Sequence, residues 1–171
     1  MQDMPKEIER KYLIICPDEN FLKNLPDCKA TEITQVYLVK NNSDFTRRIR
    51  KRGFHTHWQY TYTQKKKIGF GERIELETEI SESEYQNLLT ESDPKHKIIK
   101  KIRYCITYQN QVLELDIYDF SKNLATLEIE LPDINIPVKI PDWVHVIADV
   151  TDKKGYSNFE LSITLAFPEE I

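Results

Sequence analysis

Arg73-Ile74-Glu75-Leu76-Glu77-Thr78-Glu79-Ile80 is the stretch on which the fold turns. Ionised and apolar residues alternate through it with a period of two, the repeat of an extended strand whose successive side chains point to opposite faces. One face carries Arg73, Glu75, Glu77 and Glu79, and the other Ile74, Leu76 and Ile80. An ordinary half-buried strand turns a loose mix of polar types to water. Here the polar face is almost wholly charged, and like charges recur two residues apart, which is unfavourable unless an ion of opposite sign lies between them.

Working outward, the same alternation recurs. Period-two segments rich in Val, Ile, Tyr and Thr at 6–15, 31–40, 44–53, 58–67, 72–80, 98–109, 111–119 and 125–132 predict eight strands. Asn41-Asn42, the Ile68–Gly71 stretch and Asn110 are short turn-like joints, which suit antiparallel hairpins; parallel pairs would need longer crossovers. Ser81 followed three residues later by Glu84 reads as a capping box and predicts a helix over 82–91. Pro17–Leu25, Pro141–Val150 and Tyr156–Ala166 are further helix candidates, the last two with apolar residues at three- and four-residue spacing.

The charged faces can be followed strand by strand. Glu7, Glu9 and Lys11 share one, Arg48 and Arg50 another, and Thr61, Thr63 and Lys65 a third. Lys101 with Arg103, Glu114 with Asp116, and Glu128 with Glu130 alternate in the same way with apolar neighbours. Any one of these faces alone would pass as a solvated outer surface. Their repetition favours convergence: a mainly β (α+β) chain forming an eight-stranded antiparallel, tunnel-like barrel with a charged lumen. Its apolar faces would point outward and be covered by several helices, including a C-terminal one. Hard carboxylate oxygens suit Mg²⁺ or Mn²⁺, whereas guanidinium and ammonium groups suit phosphate oxygens. A metal-bound polyphosphate satisfies both sets.

Composition narrows the alternatives. The 171 residues carry 24 Lys+Arg against 28 Asp+Glu, 40% hydrophobic and 11% aromatic residues, the size and makeup of a single folded domain spanning 1–171. A net charge of −4 gives no general basic surface, so nucleic acid is not the expected partner. The longest apolar run, Tyr12–Cys16, is far too short to span a bilayer, so no membrane association is expected. Cys16, Cys28 and Cys105 form no C-x-x-C pair, which fits a reducing cytoplasm and a packing role. His55 and His57 have no further ligands at a recognisable spacing and read as loop or edge-strand residues. In the Lys65-Lys66-Lys67 run only Lys65 is assigned to the lumen, the other two reading as solvated hairpin charges. Nothing in the sequence sets the oligomeric state or the place of Lys153 and Lys154.

Glu7-Ile8-Glu9-Arg10-Lys11 resembles the E-x-E-x-K motif of the CYTH superfamily, the triphosphate tunnel metalloenzymes. Arg48-Ile49-Arg50, Thr63-Gln64-Lys65 and Arg73-Ile74-Glu75-Leu76-Glu77 resemble its R-x-R, T-x-K and R-x-E-x-E strands in order. Lys101-Ile102-Arg103, Glu114-Leu115-Asp116 and Glu128-Ile129-Glu130 resemble its K-x-R, E-x-D and E-x-E strands, and Asp149-Val150-Thr151 and Tyr156-Ser157-Asn158 extend the likeness. The resemblance implies a triphosphate held in the tunnel by Lys11, Arg48, Arg50, Lys65, Arg73, Lys101 and Arg103. It implies divalent metal, Mg²⁺ or Mn²⁺, held by Glu7, Glu9, Glu75, Glu77, Asp116, Glu128 and Glu130, with Glu114 as a further tunnel residue. Compact bacterial-type members of this pattern are similar to tripolyphosphatases, which implies hydrolysis of inorganic tripolyphosphate to pyrophosphate and phosphate.

Other members of the superfamily act on thiamine or nucleoside triphosphates or cyclise ATP to cyclic AMP, and a non-catalytic polyphosphate-binding module is a third possibility of another class. Lys11 and Lys101 are the candidate general bases, because neighbouring cations lower a lysine's pKa and an arginine cannot take the role. Alternation turns Trp58, Tyr60 and Tyr62 away from the lumen and Trp143 falls in the expected outer helix, so the strands offer no obvious lumen aromatic, which favours an inorganic substrate, though loops could supply one.

Overall fold

Alternation of charged and apolar residues is realised as a closed wall. The computed structural model describes residues 4–168, among which nine strands occur. They are β1 (Lys6–Ile15), β2 (Cys28–Tyr37), β3 (Thr46–Phe54), β4 (His57–Gly69), β5 (Glu72–Ile80), β6 (Ile99–Tyr108), β7 (Gln111–Tyr118), β8 (Leu124–Glu130) and β9 (Val146–Asp149). Every pairing is antiparallel, in the order β5-β4-β3-β2-β6-β7-β8-β1-β9, and β1 also pairs with β5, which closes eight strands into a barrel.

β1 makes the closure. Residues Lys6–Ile8 face β5, whereas Tyr12–Ile14 face β9 along the same edge. The stretch between is bridged by single contacts: Glu9 N–H donates to the Gly71 carbonyl at 2.9 Å, and Lys11 N–H donates to Thr151 Oγ1 at 2.9 Å. Gly71 has a φ of +67°, and an added Cβ would fall 2.7 Å from the Glu9 carbonyl oxygen, so only glycine fits this junction.

Pro141–Val150 is not the expected helix: its end, Val146–Asp149, is β9 and lies against β1. Val144, Val146, Ala148 and Val150 also satisfy a period of two, and a valine-rich segment beside an open strand edge gains ladder hydrogen bonds that a helix would forgo. Trp143 consequently sits outside any helix and packs edge-on against Phe21, with ring centroids 5.2 Å apart.

The remaining helices fall within their expected ranges: α1 (Glu19–Lys23), α2 (Glu82–Leu88, continued by a 3₁₀ turn at Leu89–Glu91) and α3 (Asn158–Thr164). Both α2 and α3 start in capping boxes, Ser81 with Glu84 and Ser157 with Glu160. Leu22 of α1, with Val138, Ile140, Trp143 and Val144, covers the outward apolar face of β1 and β6–β8, where Tyr104, Leu115, Leu127 and Ile129 are buried. Tyr85 of α2 covers Val36, Ile49 and Tyr60 on β2–β4. By contrast, α3 and the segment after it pack on side chains that share parity with the charged lumen residues: Ile99 and Tyr118 meet Leu161, and Leu13 meets Tyr156 and Phe167. Among the described residues no helix is long and apolar enough to cross a membrane.

Candidate active site

Because neighbouring strands share side-chain parity across each registered pair, the charged faces converge on a cavity of about 670 Å³. Glu7, Glu9, Lys11, Arg48, Arg50, Lys65, Arg73, Glu75, Glu77, Arg103, Glu114, Glu128 and Glu130, all singled out from sequence, line it. β2 contributes an uncharged stave: Thr31, Ile33, Gln35 and Tyr37 share its inward face, and buried Gln35 donates to the Tyr37 hydroxyl at 2.8 Å.

Ion pairs organise the lining. Lys65 Nζ lies 3.0 Å from Glu7 and 3.3 Å from Glu75, while Arg73 lies 3.5 Å from Glu9 and Arg48 3.9 Å from Glu75. Arg50 donates to Glu77 at 2.5 Å, and Thr63 donates to the same carboxylate oxygen. Lys11 pairs with Glu128 at 3.2 Å. Among the described residues, Arg48 Nε and Arg50 Nε are buried with no hydrogen-bond partner, two guanidinium donors left for an anion.

Lys101 and Asp116 are placed differently. Their 2.7 Å ion pair has no side-chain exposure, and neither residue belongs to the cavity lining. Arg103 takes up Asp116 in a forked contact, Nε to Oδ1 at 2.7 Å and Nη2 to Oδ2 at 2.9 Å, and also pairs with Glu114. Asp116 thus holds Arg103 in the wall, and Lys101 neutralises Asp116 from the other side, both away from the cavity lining.

Protonation follows the same division. Burial pushes the Asp116 carboxyl up, but Arg103 and Lys101 outweigh it and hold it below its ordinary value. Burial lowers Lys101 to about 8 despite the Asp116 charge. Burial also opposes ionisation of Glu7, yet Lys65 leaves its pKa lowered, and Glu128 is held far down by Lys11, Arg103 and Lys101. Glu9 moves the other way, to about 8, through burial and then the neighbouring carboxylates of Glu128 and Glu7. Burial and the adjacent Arg48 bring Arg50 to about 10.

Among the described residues, no three His, Cys, Asp or Glu side chains are gathered as a ready-made metal cage, since each carboxylate is drawn to a neighbouring cation. The chemistry nonetheless fits a hard divalent ion: Glu9 is crowded by like charge, and its donors are carboxylate oxygens. Glu7, Glu9 and Glu128, with Glu130 registered opposite Glu9, are the residues that would hold it.

Several lining residues escaped the sequence reading. Arg52 continues the Arg48, Arg50 parity and could have been found by extending it two positions. Lys67 and Lys66 reach the cavity rim rather than standing only in solvent, with Lys67 3.4 Å from Asp152. Asp152 and Lys153 come from the turn after β9, which the helix expected over 141–150 concealed, whereas Ser157–Glu160 enter from the start of the expected C-terminal helix α3. The tunnel is not free of aromatics either: Tyr37 and Phe159 line it, 5.2 Å apart and edge-on. Trp58, Tyr60 and Tyr62 do face outward, packed with α2. His57 opens β4 and His55 sits in the preceding turn, as expected for loop and edge residues. The three cysteines are free.

Comparison with known proteins follows this geometry closely. The family model described as the CYTH domain matches residues 5–154. An inorganic triphosphatase of Acetivibrio thermocellus is 28% identical over 159 residues, covering 92% of this chain and 94% of that protein. The crystal structure of the inorganic triphosphatase NE1496 superposes with a TM-score of 0.58 at 26% identity, covering 95% of this chain and 98% of that one. The PH1819 protein from Pyrococcus horikoshii OT3, at 21% identity and a TM-score of 0.54 over 73% of this chain and 79% of that one, shares the fold.

Proposed function

The chain belongs to the CYTH family, and from that premise we propose that it hydrolyses inorganic tripolyphosphate to pyrophosphate and phosphate with Mg²⁺ or Mn²⁺. The observation that carries the reading is the pair of buried, unpartnered guanidinium donors, Arg48 Nε and Arg50 Nε, on a cavity wall that also presents Lys11, Lys65, Arg73 and Arg103. A polyanion with oxygens along its length meets these donors better than any single carboxylate. The inorganic triphosphatases of similar length and fold support the same substrate.

Phosphoryl transfer asks chiefly for positioning and charge stabilisation. Arg48, Arg50, Lys65 and Arg73 bind and orient the phosphate chain, and Arg103, gripped by Asp116 through Nε and Nη2, adds its charge to the wall with Nη2 3.7 Å from Glu128. Water attacks the terminal phosphorus, its oxygen forming the new P–O bond as the bond to the bridging oxygen breaks and pyrophosphate leaves. Glu7, Glu9 and Glu128 would hold a divalent ion, which when bound would supply charge neutralisation and a more acidic water. Of the two candidate lysines Lys11 is the one on the cavity wall, where it can take the water's proton only in its neutral form, out of its ion pair with Glu128, while Lys101 is sealed against Asp116. The reading takes residues 1–171 as one domain working in the cytoplasm, a setting that the three free thiols support.

The test is phosphate release from tripolyphosphate, ATP and thiamine triphosphate side by side with each metal. Tripolyphosphate is expected to be turned over fastest. The Tyr37–Phe159 edge favours a second reading in which an organic group rests at the rim, and faster turnover of ATP or thiamine triphosphate would establish it.

A further inference from the structure

Asp152 lies in the turn that follows β9, at a φ of 54°, and its side chain is only 5% exposed. Both of its oxygens are engaged. Oδ1 accepts from Arg73 Nη2 at 2.8 Å, and Oδ2 accepts from Gly71 N–H at 2.5 Å with Lys67 Nζ 3.4 Å away. The same Arg73 offers its other terminal nitrogen, Nη1, to Glu9 at 3.5 Å. One carboxylate therefore grips one edge of a tunnel guanidinium and the backbone at the tip of the β4–β5 hairpin, while the opposite edge of that guanidinium faces the carboxylate cluster.

An anion on the wall of a polyanion-binding cavity repels substrate, so its presence there needs a compensating use. We propose that Asp152 is a positioning residue: it fixes Arg73 so that the free edge of its guanidinium meets the phosphate chain, and it does so by tying the turn after β9 to the β4–β5 hairpin. A free arginine side chain loses conformational freedom when it binds, whereas one already held by a forked or charged contact loses less. Asp152 acts through Arg73 and does not itself touch substrate. This role rests on the triphosphatase reading.

Asp152→Asn keeps an oxygen for Gly71 N–H, and asparagine tolerates a positive φ, so the fold is retained and the charged grip on Arg73 is lost. Turnover of tripolyphosphate is expected to fall roughly tenfold while KM stays the same or drops, because orientation is lost as a repelling charge is removed. Asp152→Gly, which accepts the same backbone angle, should show the same split. In an Arg73→Lys background, Asp152→Asn should cost less than about twofold more, since the grip it removes has no guanidinium to hold. Turnover within twofold of the unmodified protein, or losses that multiply fully in the double variant, would overturn the proposal. A readout independent of the reaction is the Arg73 Nε–H nuclear magnetic resonance signal, assigned through Arg73→Lys. It is expected to be sharp in the unmodified protein and broadened in Asp152→Asn, and equal sharpness in both would overturn the proposal. If the unmodified protein leaves tripolyphosphate intact, the proposed reaction fails and this signal alone decides the role of Asp152.

Discussion

Two clusters of ionised side chains share the inward face of the barrel and are built to different standards. The Lys101–Asp116–Arg103 cluster has contacts of 2.7 to 2.9 Å, and its Lys101 and Asp116 side chains have no exposure at all. The Glu7–Lys65–Glu75 and Arg73–Glu9 contacts run from 3.0 to 3.5 Å, with side chains 15 to 21% exposed. A tight, dry ion pair cannot exchange partners without leaving a buried charge behind, whereas a loose and partly wetted one can. Identical chemistry on one wall thus serves as scaffold in one place and as an adjustable binding surface in the other.

The sharpest way to break this contrast is to remove one charge from each cluster. Asp116→Asn leaves the buried Lys101 ammonium without its charged partner and removes the fork that holds Arg103, and is expected to cost about 3–5 kcal/mol of unfolding free energy, read from urea denaturation. Glu7→Gln gives up its contact with Lys65 and should lower the urea midpoint in chelator only slightly, by about 1 kcal/mol or less, while divalent-metal affinity, measured by calorimetry, falls by more than about 100-fold, beyond what supporting residues usually cost. Equal destabilisation by the two variants would erase the distinction.

Acid and base should separate the clusters further. The Asp116 pKa lies below its ordinary value of 3.8, so its contribution is present above that value and is lost as pH falls through the lower folded value. Glu9, raised from 4.5 to about 8, does the reverse: its contribution is present below 4.5 and is lost as pH rises toward 8. In chelator the melting temperature is therefore expected to decline between those two pH values, and Glu9→Gln should flatten the decline. A slope unchanged by Glu9→Gln would show that another group governs it.

The smallest expected effect is on phosphate recognition. Arg48→Lys retains a cation but loses the planar donors, one of which is buried and unpartnered. It should raise the KM for tripolyphosphate several-fold while turnover stays within about threefold. A larger loss in turnover than in affinity would move Arg48 from binding to transition-state stabilisation.

Period-two alternation made the eight wall strands and most of the cavity lining legible, because in a strand parity alone assigns a face. It could not rank depth: Lys101 and Lys65 have the same parity and charge, and only the barrel's packing buries one completely. It also failed where two periods fit one segment. Val144, Val146, Ala148 and Val150 allow both helix and strand, and the free edge of β1, a partner distant in sequence, decides between them. With β9 hidden, the turn that carries Asp152 was hidden as well, and the docking of Phe159 of α3 at the cavity depends on packing that no periodicity reports.

The three-sided pairing of β1 also sets a timetable for synthesis. Lys6–Ile15 leaves the ribosome well before its partners Leu124–Glu130 and Val146–Asp149, more than a hundred residues later in the chain. Consecutive hairpins such as β3–β4 and β6–β7 can form while the chain grows, but the wall cannot be sealed until almost the whole sequence has emerged. Throughout that delay Leu13 and Ile14, both fully buried at the end, stand on an unpaired strand open to misassociation. The charges of Glu7, Glu9, Arg10 and Lys11 immediately before them then guard the nascent chain, discouraging neighbouring strands from docking until the proper partners arrive.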